Sequence, residues 1–495
     1  MSEAAKKYLK IERAGTAGAY FTYGGKPVLS FGGSASDFIF YVAQDAFDYE
    51  LWADWSTAHG MNHCRAYLPG SWTMIESFTE RNGGDPADIL FPFEQTEPGS
   101  RKFDVTRFHE PYWARFRKQC ECLARHGIIL DLLMSNGWQF WCYNEKVAKG
   151  NWDGHFYNPR NNVNAFTEPL GGEKPNRLKY YHSVADGNDA LFQAQRAWFE
   201  KIVECTHDLG NIYYELVHEL AENYADWDKT AQWLEAVALA IRARWDECEP
   251  DREILLGTDA GFLKGFPVCQ GGGVPRDGSE MDWIFSRPYF NILIDGGKHH
   301  VANAREFPVK YQKPWIPQES WDDTGVPRNS CDPDQRVHLR KYVWKMVMGK
   351  VQQIDIYMKS KGAPHNYDPR GRNPWENDAV LVRQFWEGLR NFPDLRFQGY
   401  VAYGQIGHNY TLSSAEEAVV YVSSPTDIEA RRYEGIALRI HELALPDGQY
   451  NALLFDPAEG EIEQREVRVR DGELRLRLPD FTDDFAVHVT RKPDD

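Results

Sequence analysis

Between residues 28 and 391 the chain holds eight short apolar runs, most of them followed by a stretch of helical repeat, and few folds accommodate that alternation. The runs fall at 28–33, 61–68, 127–134, 211–219, 252–259, 281–289, 313–319 and 351–358. Helical spacing occupies 45–59, 106–126, 188–208, 227–247, 332–349 and 376–391. Eight strands joined largely by helices predict a (β/α)8 TIM barrel, whose functional residues lie at the carboxyl ends of the strands. Two segments, 69–105 and 139–186, are rich in Gly, Pro and Asp or in aromatic residues and read as long loops. Loops of that length in a compact domain are usually functional, although Phe140, Trp141, Tyr143, Trp152, Phe156 and Tyr157 could equally serve as apolar anchors. Ahead of the barrel, alternating residues around Gly24-Gly25 predict a hairpin over 8–29 that precedes or plugs the domain.

The pattern changes at about residue 397. Ala418-Val419-Val420-Tyr421-Val422, Tyr450-Asn451-Ala452-Leu453-Leu454-Phe455 and Glu473-Leu474-Arg475-Leu476-Arg477-Leu478 have β character and are separated by turn residues such as Pro446-Asp447-Gly448. The expectation is a hairpin plus barrel over 1–396 and a small antiparallel β-sandwich over 397–495, packing against the barrel.

Two of the eight runs end on a glutamate. Asn211-Ile212-Tyr213-Tyr214-Glu215-Leu216-Val217 runs into His218-Glu219, and Lys313-Pro314-Trp315-Ile316-Pro317-Gln318 runs into Glu319. A core strand seldom stops on an ionisable group unless the group lies in a crevice, since a buried unpaired charge is costly. Either glutamate alone would more often brace a helix, but two carboxylates at strand ends suit glycosidic cleavage, in which one protonates the leaving oxygen and the other attacks or activates water. Arg65, Asn136 and Tyr289 fall at other strand ends, with Trp138 and Trp321 close behind two of them. Arg65 could instead brace the carboxylate of a neighbouring strand.

Composition limits the partners. The net charge of −17 over 495 residues opposes nucleic acid and anionic membranes, while 17 tryptophans supply flat apolar rings suited to sugars as well as to a core. No run of about eighteen apolar residues and no secretory leader is evident, which predicts a soluble, cytoplasmic protein. The eight cysteines have no metal-site spacing among themselves and read as thiols of a reducing compartment. His218-Glu219-Leu220-Ala221-Glu222 begins like a zinc-protease box but has Glu222 where the second histidine belongs, so no metal and no cofactor are expected there.

With these residues in view, the chain resembles the clan-A retaining glycoside hydrolases, in particular a cellulase-like or apiosidase-like subgroup with a C-terminal β-domain. Tyr214-Glu215-Leu216-Val217-His218-Glu219 is similar to the clan's fourth strand, Pro314-Trp315-Ile316-Pro317-Gln318-Glu319 to its seventh, and Phe21-Thr22-Tyr23-Gly24-Gly25-Lys26-Pro27-Val28 to its leading hairpin. Leu454-Phe455-Asp456-Pro457-Ala458-Glu459-Gly460-Glu461 is similar to the appended β-domain. The resemblance implies Glu219 as acid/base and Glu319 as nucleophile, with Arg65, Asn136, Trp138, His218, Tyr289 and Trp321 around the sugar. It implies double displacement on a small glycoside or oligosaccharide, and the long loops suggest a pocket and exo-action. His218 departs from the clan, which has asparagine there to bond the sugar's 2-hydroxyl; histidine can donate one such bond. Two rivals stand beside this reading. One is a metal-dependent sugar isomerase or lyase using Glu219, Glu319, Asp259 and His299 or His300, and the other is a non-catalytic carbohydrate-binding protein.

Overall fold

The computed structural model describes residues 7–15, 18–33, 40, 48–81, 83–141, 152–173, 176–218, 220, 226–259, 279–295, 301–317, 336–356, 376–402, 406–425 and 430–492. Eight parallel strands form its centre: β1 (Ser30–Gly33), β2 (His63–Tyr67), β3 (Ile129–Leu133), β4 (Ile212–Glu215), β5 (Leu256–Gly257), β6 (Leu293–Asp295), β7 (Trp315–Pro317) and β8 (Gln353–Ile356). Each is followed by one helix of the outer ring: α1 (Tyr49–Ala58), α2 (Glu110–Arg125), α3 (Asp189–Thr206), α4 (Trp227–Cys248), α5 (Ser279–Ser286), α6 (Val301–Tyr311), α7 (Arg336–Met348) and α8 (Glu376–Glu387). Hydrogen-bonded pairing runs β8-β1-β2-β3-β4-β5, a bridge from Asp259 to Ile294 leads on to β6, and β6 pairs with β7. Strand β7 lies beside β8, with Cα atoms within 8 Å, so the strands follow one another around a (β/α)8 barrel.

The alternation of side chains explains how one sheet serves two cores. Cys64, Leu130, Leu132, Tyr214, Leu256, Leu293 and Trp315 pack in the outer core. The residues one step out of phase, among them Ile129, Tyr213, Ile294 and Ile316, belong to a separate inner cluster with Leu9, Ile11 and Phe21 of the N-terminal hairpin. There Leu9–Arg13 pairs with Ala19–Tyr23, which turns through Gly24 and Gly25, both with positive φ, to pair with Lys26–Pro27. The Phe21 ring stacks on Tyr213 at 5.9 Å, and its backbone N–H donates to Gln352 Oε1 at 2.8 Å. The hairpin therefore stoppers the amino end of the barrel, as its position in the sequence suggests.

The helices follow from amphipathic spacing and caps. In α3 the buried residues Leu191, Ala194, Gln195, Trp198, Phe199, Ile202 and Val203 recur every three or four positions, and the Asn188 side chain accepts from the Leu191 N–H. Asp48 and Asp226 cap α1 and α4 in the same way. Two expectations need correcting. Residues 281–289 are not the sixth strand: Met281, Ile284 and Phe285 are buried at helical spacing in α5, and the strand is Leu293–Asp295. The segment 69–105 is not simply loop, since it contains the helix Trp72–Arg81 and the strand Phe93–Gln95, which pairs with Phe103–Phe108.

Beyond α8 the chain forms an eight-stranded antiparallel sheet that curls into a nearly closed sandwich. Its strands are β9 (Tyr400–Val401), β10 (His408–Ser413), β11 (Glu417–Ser423), β12 (Ala437–His441), β13 (Gly448–Asp456), β14 (Gly460–Arg470), β15 (Glu473–Arg477) and β16 (Asp484–Arg491), in the order β9-β12-β15-β14-β13-β16-β11-β10. One face encloses its own core. The other contributes Val419, Tyr421, Phe455 and Ala486 to the outer core of the barrel. Trp344 of α7 stacks on Tyr421 at 5.5 Å, and Phe385 of α8 meets Phe455 at 5.2 Å. Arg340 Nη2 bonds buried Asp484 at 2.7 Å, and Tyr421 donates its hydroxyl to the same carboxylate at 3.0 Å.

Candidate active site

Going up the barrel from the hairpin, the inward-facing positions change from largely uncharged to charged. Ile129 is followed by Asp131, His63 by Arg65 and Tyr213 by Glu215, each two residues further along its strand and therefore on the same face. Backbone pairing continues past the formal end of β4. The Leu216 N–H donates to Gly257 at 2.8 Å, Asp259 N–H to Val217 at 3.1 Å, and His218 bridges Asn136 in parallel register. The sequence 211–218 is thus delivered as one rail, with His218 at the carboxyl end of the sheet.

There the side chains of four strands converge. The Arg65 guanidinium (β2) places Nη2 2.9 Å from His218 Nδ1 and 3.2 Å from Nε2, and its Nε is 3.9 Å from Asp131 Oδ2 (β3). His218 Nδ1 lies 3.2 Å from Glu215 Oε1 (β4) and 3.6 Å from Asp259 Oδ2, just beyond β5. Tyr67 covers the cluster, with its ring 5.2 Å from the guanidinium carbon and 5.7 Å from the imidazole centroid. All five ionisable residues are at most 2 % exposed, so their charges are compensated within the protein. Arg65 can only donate, so the imidazole nitrogen it engages is the unprotonated one.

Of the residues expected around the sugar, Arg65, Asn136 and His218 are brought together at the carboxyl end. Arg65 also fulfils the bracing role, since Asp131 belongs to the adjacent strand. Both His218 nitrogens face protein partners, so in this geometry the ring orients Arg65 and Glu215, and a bond to a sugar hydroxyl requires it to turn. Trp138 opens a one-turn helix, Trp138–Trp141, directly after Asn136 and Gly137. Tyr289 is placed elsewhere. It lies between α5 and β6, at the amino end of the barrel, where its ring packs on Trp283 and Phe290 and its carbonyl accepts from Arg242. The error came from taking α5 for a strand, which reversed the end at which the tyrosine emerges. Glu219, Glu319 and Trp321 lie outside the described residues, as do His299 and His300. The sequence reading did not single out Asp131 or Glu215; a charged residue at an inward position of an otherwise apolar strand was the available signal.

The aromatic insertion is used for packing. Phe140 contacts Trp152, His155 and Tyr180 at 4.5–5.6 Å, and Phe156 is wedged among Phe91, Phe93 and Phe103. These rings wall the loops above β2 and β3, leaving a cavity of about 30 Å³ beside Asn136, Gln139 and Tyr157, room for one or two waters. Trp141 has no described side chain and Tyr143 lies outside the described residues. Burial pushes His155 in this wall, and His63 lower in the barrel, down to about 3. The unfolded chain binds protons at both sites below pH 6.5, whereas the folded chain stays neutral there until about pH 3. Stability is therefore present above pH 6.5 and is lost on acidification, by up to about 1.4 kcal/mol per pH unit for each histidine. Urea unfolding between pH 7 and 4.5 is expected to show this slope, and His155→Gln should remove one histidine's share.

The carboxylate oxygens of Glu215 and Asp259 and a His218 nitrogen lie within 4.8 Å of one another, the spacing of a metal site. The Arg65 guanidinium, however, stands 2.9 Å from the nitrogen that would ligate the ion. A fixed organic cation already occupies the electrostatic role of the metal, so Glu215, His218 and Asp259 do not fit an ion; of the ligands named for the metal-dependent rival, only Asp259 is among the described residues.

The fold is that of glycoside-hydrolase structures, a TIM-type barrel with an appended β-domain. A structure described as a glycoside hydrolase superposes over 99 % of this chain and 98 % of its own, with a TM-score of 0.61 and 13 % identity. A putative glycoside hydrolase from Bacteroides vulgatus matches over 99 % of this chain and 83 % of its own, with a TM-score of 0.61 and 12 % identity. A family 5 glycoside hydrolase from the same organism gives a TM-score of 0.55 at 13 % identity, covering 99 % and 95 %. No family model and no curated protein matches the sequence.

Proposed function

We propose that the protein is a retaining glycoside hydrolase acting on a small glycoside or oligosaccharide. The observation that carries this reading is the buried Arg65–His218–Glu215–Asp259 network at the carboxyl end of a barrel shared with glycoside-hydrolase structures, one residue before Glu219. Glu219 serves as acid and then base, and Glu319 as nucleophile. The acid role requires Glu219 to be protonated at neutral pH, and the buried carboxylates of Asp131, Glu215 and Asp259 oppose a further negative charge at the carboxyl end of the sheet. Arg65, Asn136, Trp138 and Trp321 line the sugar, with His218 setting Arg65. The insertions after β2 and β3 wall the site on one side, which favours exo-action on short chains. Among the described residues no helix is long and apolar enough to cross a membrane. The charge of −17 favours a neutral sugar over a polyanion.

The test is a panel of nitrophenyl glycosides with the anomer released first identified by NMR. Turnover with retained configuration and indifference to chelator are expected. Inversion would overturn double displacement, and binding without turnover would favour the carbohydrate-binding reading.

A further inference from the structure

On the outer face of the barrel, away from the site above, three different ligand types meet between α1 and α2. Cys122 and His126 are four residues apart at the end of α2, and so share a face, and Glu50 reaches them from the first turn of α1. One ligand atom from each lies within 4.8 Å of the others. The Cys122 Sγ to His126 Nδ1 separation is 3.6 Å. Bonds of about 2.3 Å to sulfur and about 2.0 Å to nitrogen, opened to the tetrahedral angle, place those two atoms about 3.6 Å apart. The other imidazole nitrogen, Nε2, is 3.0 Å from Asp54 Oδ1, the carboxylate–histidine arrangement that orients metal-bound imidazoles. Arg125 grips the Glu50 carboxylate and holds it over the thiol. Cys122 is buried, His126 half-buried and Glu50 exposed, so an ion can enter from solvent and settle on the sulfur.

We propose that Glu50, Cys122 and His126 form a site for a divalent cation of borderline softness, Zn2+, with water as fourth ligand, clamping α1 to α2. A sulfur ligand selects against Mg2+ and Ca2+, and the mixed S, N, O set suits zinc. Without an ion, burial and the neighbouring Glu50 carboxylate push the Cys122 thiol up to about 12. On binding, the thiol proton leaves to solvent and the thiolate takes the metal. The imidazole swings its Nδ1 off the Cys122 carbonyl, now 2.8 Å away, releases to solvent the Nδ1 proton it donates there and offers the freed lone pair, with Nε2–H directed to Asp54. The zinc charge is then matched by one thiolate and one carboxylate.

Co2+ titration of the full chain, followed by Zn2+ displacement, tests the site. One Co2+ per chain is expected, with sulfur-to-cobalt charge transfer and the d–d bands of a tetrahedral ion, both erased by Zn2+. Cys122→Ser should abolish the charge-transfer band, His126→Ala should weaken binding at least ~10-fold, and Asp54→Asn about 10-fold. Added Zn2+ should raise the thermal midpoint of the wild-type chain and leave that of Cys122→Ser unmoved. The difference between wild type and Cys122→Ser separates this site from the remaining thiols. If the two give the same cobalt spectrum, or neither gives a charge-transfer band, the proposal is wrong. Should Cys122→Ser fold poorly, the solvent-facing Glu50→Gln decides by the same readout. Glycosidase turnover is expected to be unchanged in Cys122→Ser, so failure here leaves the catalytic reading untouched.

Discussion

Glu319→Gln is expected to lower kcat/KM on an activated aryl glycoside by at least ~10⁴-fold, about 5.5 kcal/mol of transition-state stabilisation. The amide is nearly isosteric with the carboxylate but cannot attack the anomeric carbon, so glycosylation is lost while sugar binding is kept. Glu219→Gln should behave differently. A nitrophenolate needs little protonation to leave, so the first step survives, but the water of the second step loses its base. A burst of nitrophenol followed by a stall is expected, with one sugar mass added to the protein and located by peptide mapping on Glu319. Wild-type turnover in Glu319→Gln, or an adduct on another side chain, would remove the assignment.

Arg65→Met is expected to destabilise the fold by about 3–5 kcal/mol, because it leaves Asp131, Glu215 and Asp259 without the guanidinium set among them. Part of the loss should be recovered at low pH, where protonation relieves the repulsion, and this distinguishes a charge defect from a cavity. Urea unfolding at pH 7 and pH 5 measures both. A difference below about 1 kcal/mol at pH 7 would mean that the arginine does not hold the network together. Arg65→Lys should fall between the two, since an ammonium cannot reach His218 and Asp131 at once as the planar fork does.

The barrel was legible because its signals are redundant: apolar runs, Gly-ended helices and a 3.6-residue repeat all agree over 188–219. The sixth strand was missed where two patterns competed. Met281-Asp282-Trp283-Ile284-Phe285 is apolar enough to pass for a strand, yet its buried positions 281, 284 and 285 keep helical spacing, and the uninterrupted Ile292-Leu293-Ile294 lay just beyond it. The helix Trp72–Arg81 was hidden by the Gly- and Pro-rich residues that follow it, although Met74, Ile75 and Phe78 recur on one side. In the candidate site, strand ends pointed to Arg65, Asn136 and His218. They did not say which carboxylates would surround the arginine, because that depends on the register of four strands remote in sequence. Scanning cysteines against one another also missed Cys122 and His126, whose relation is a helical step between different residue types.

Trp344 and Phe385 lie with Tyr421 and Phe455 in a single core, so the carboxyl-terminal sheet is not an accessory carried on a tether. Shortening the gene before β9 would bare a tryptophan and a phenylalanine to water and strand the charge of Arg340. The barrel half should consequently be recovered as aggregate when made alone, and the intact chain should melt in one calorimetric step.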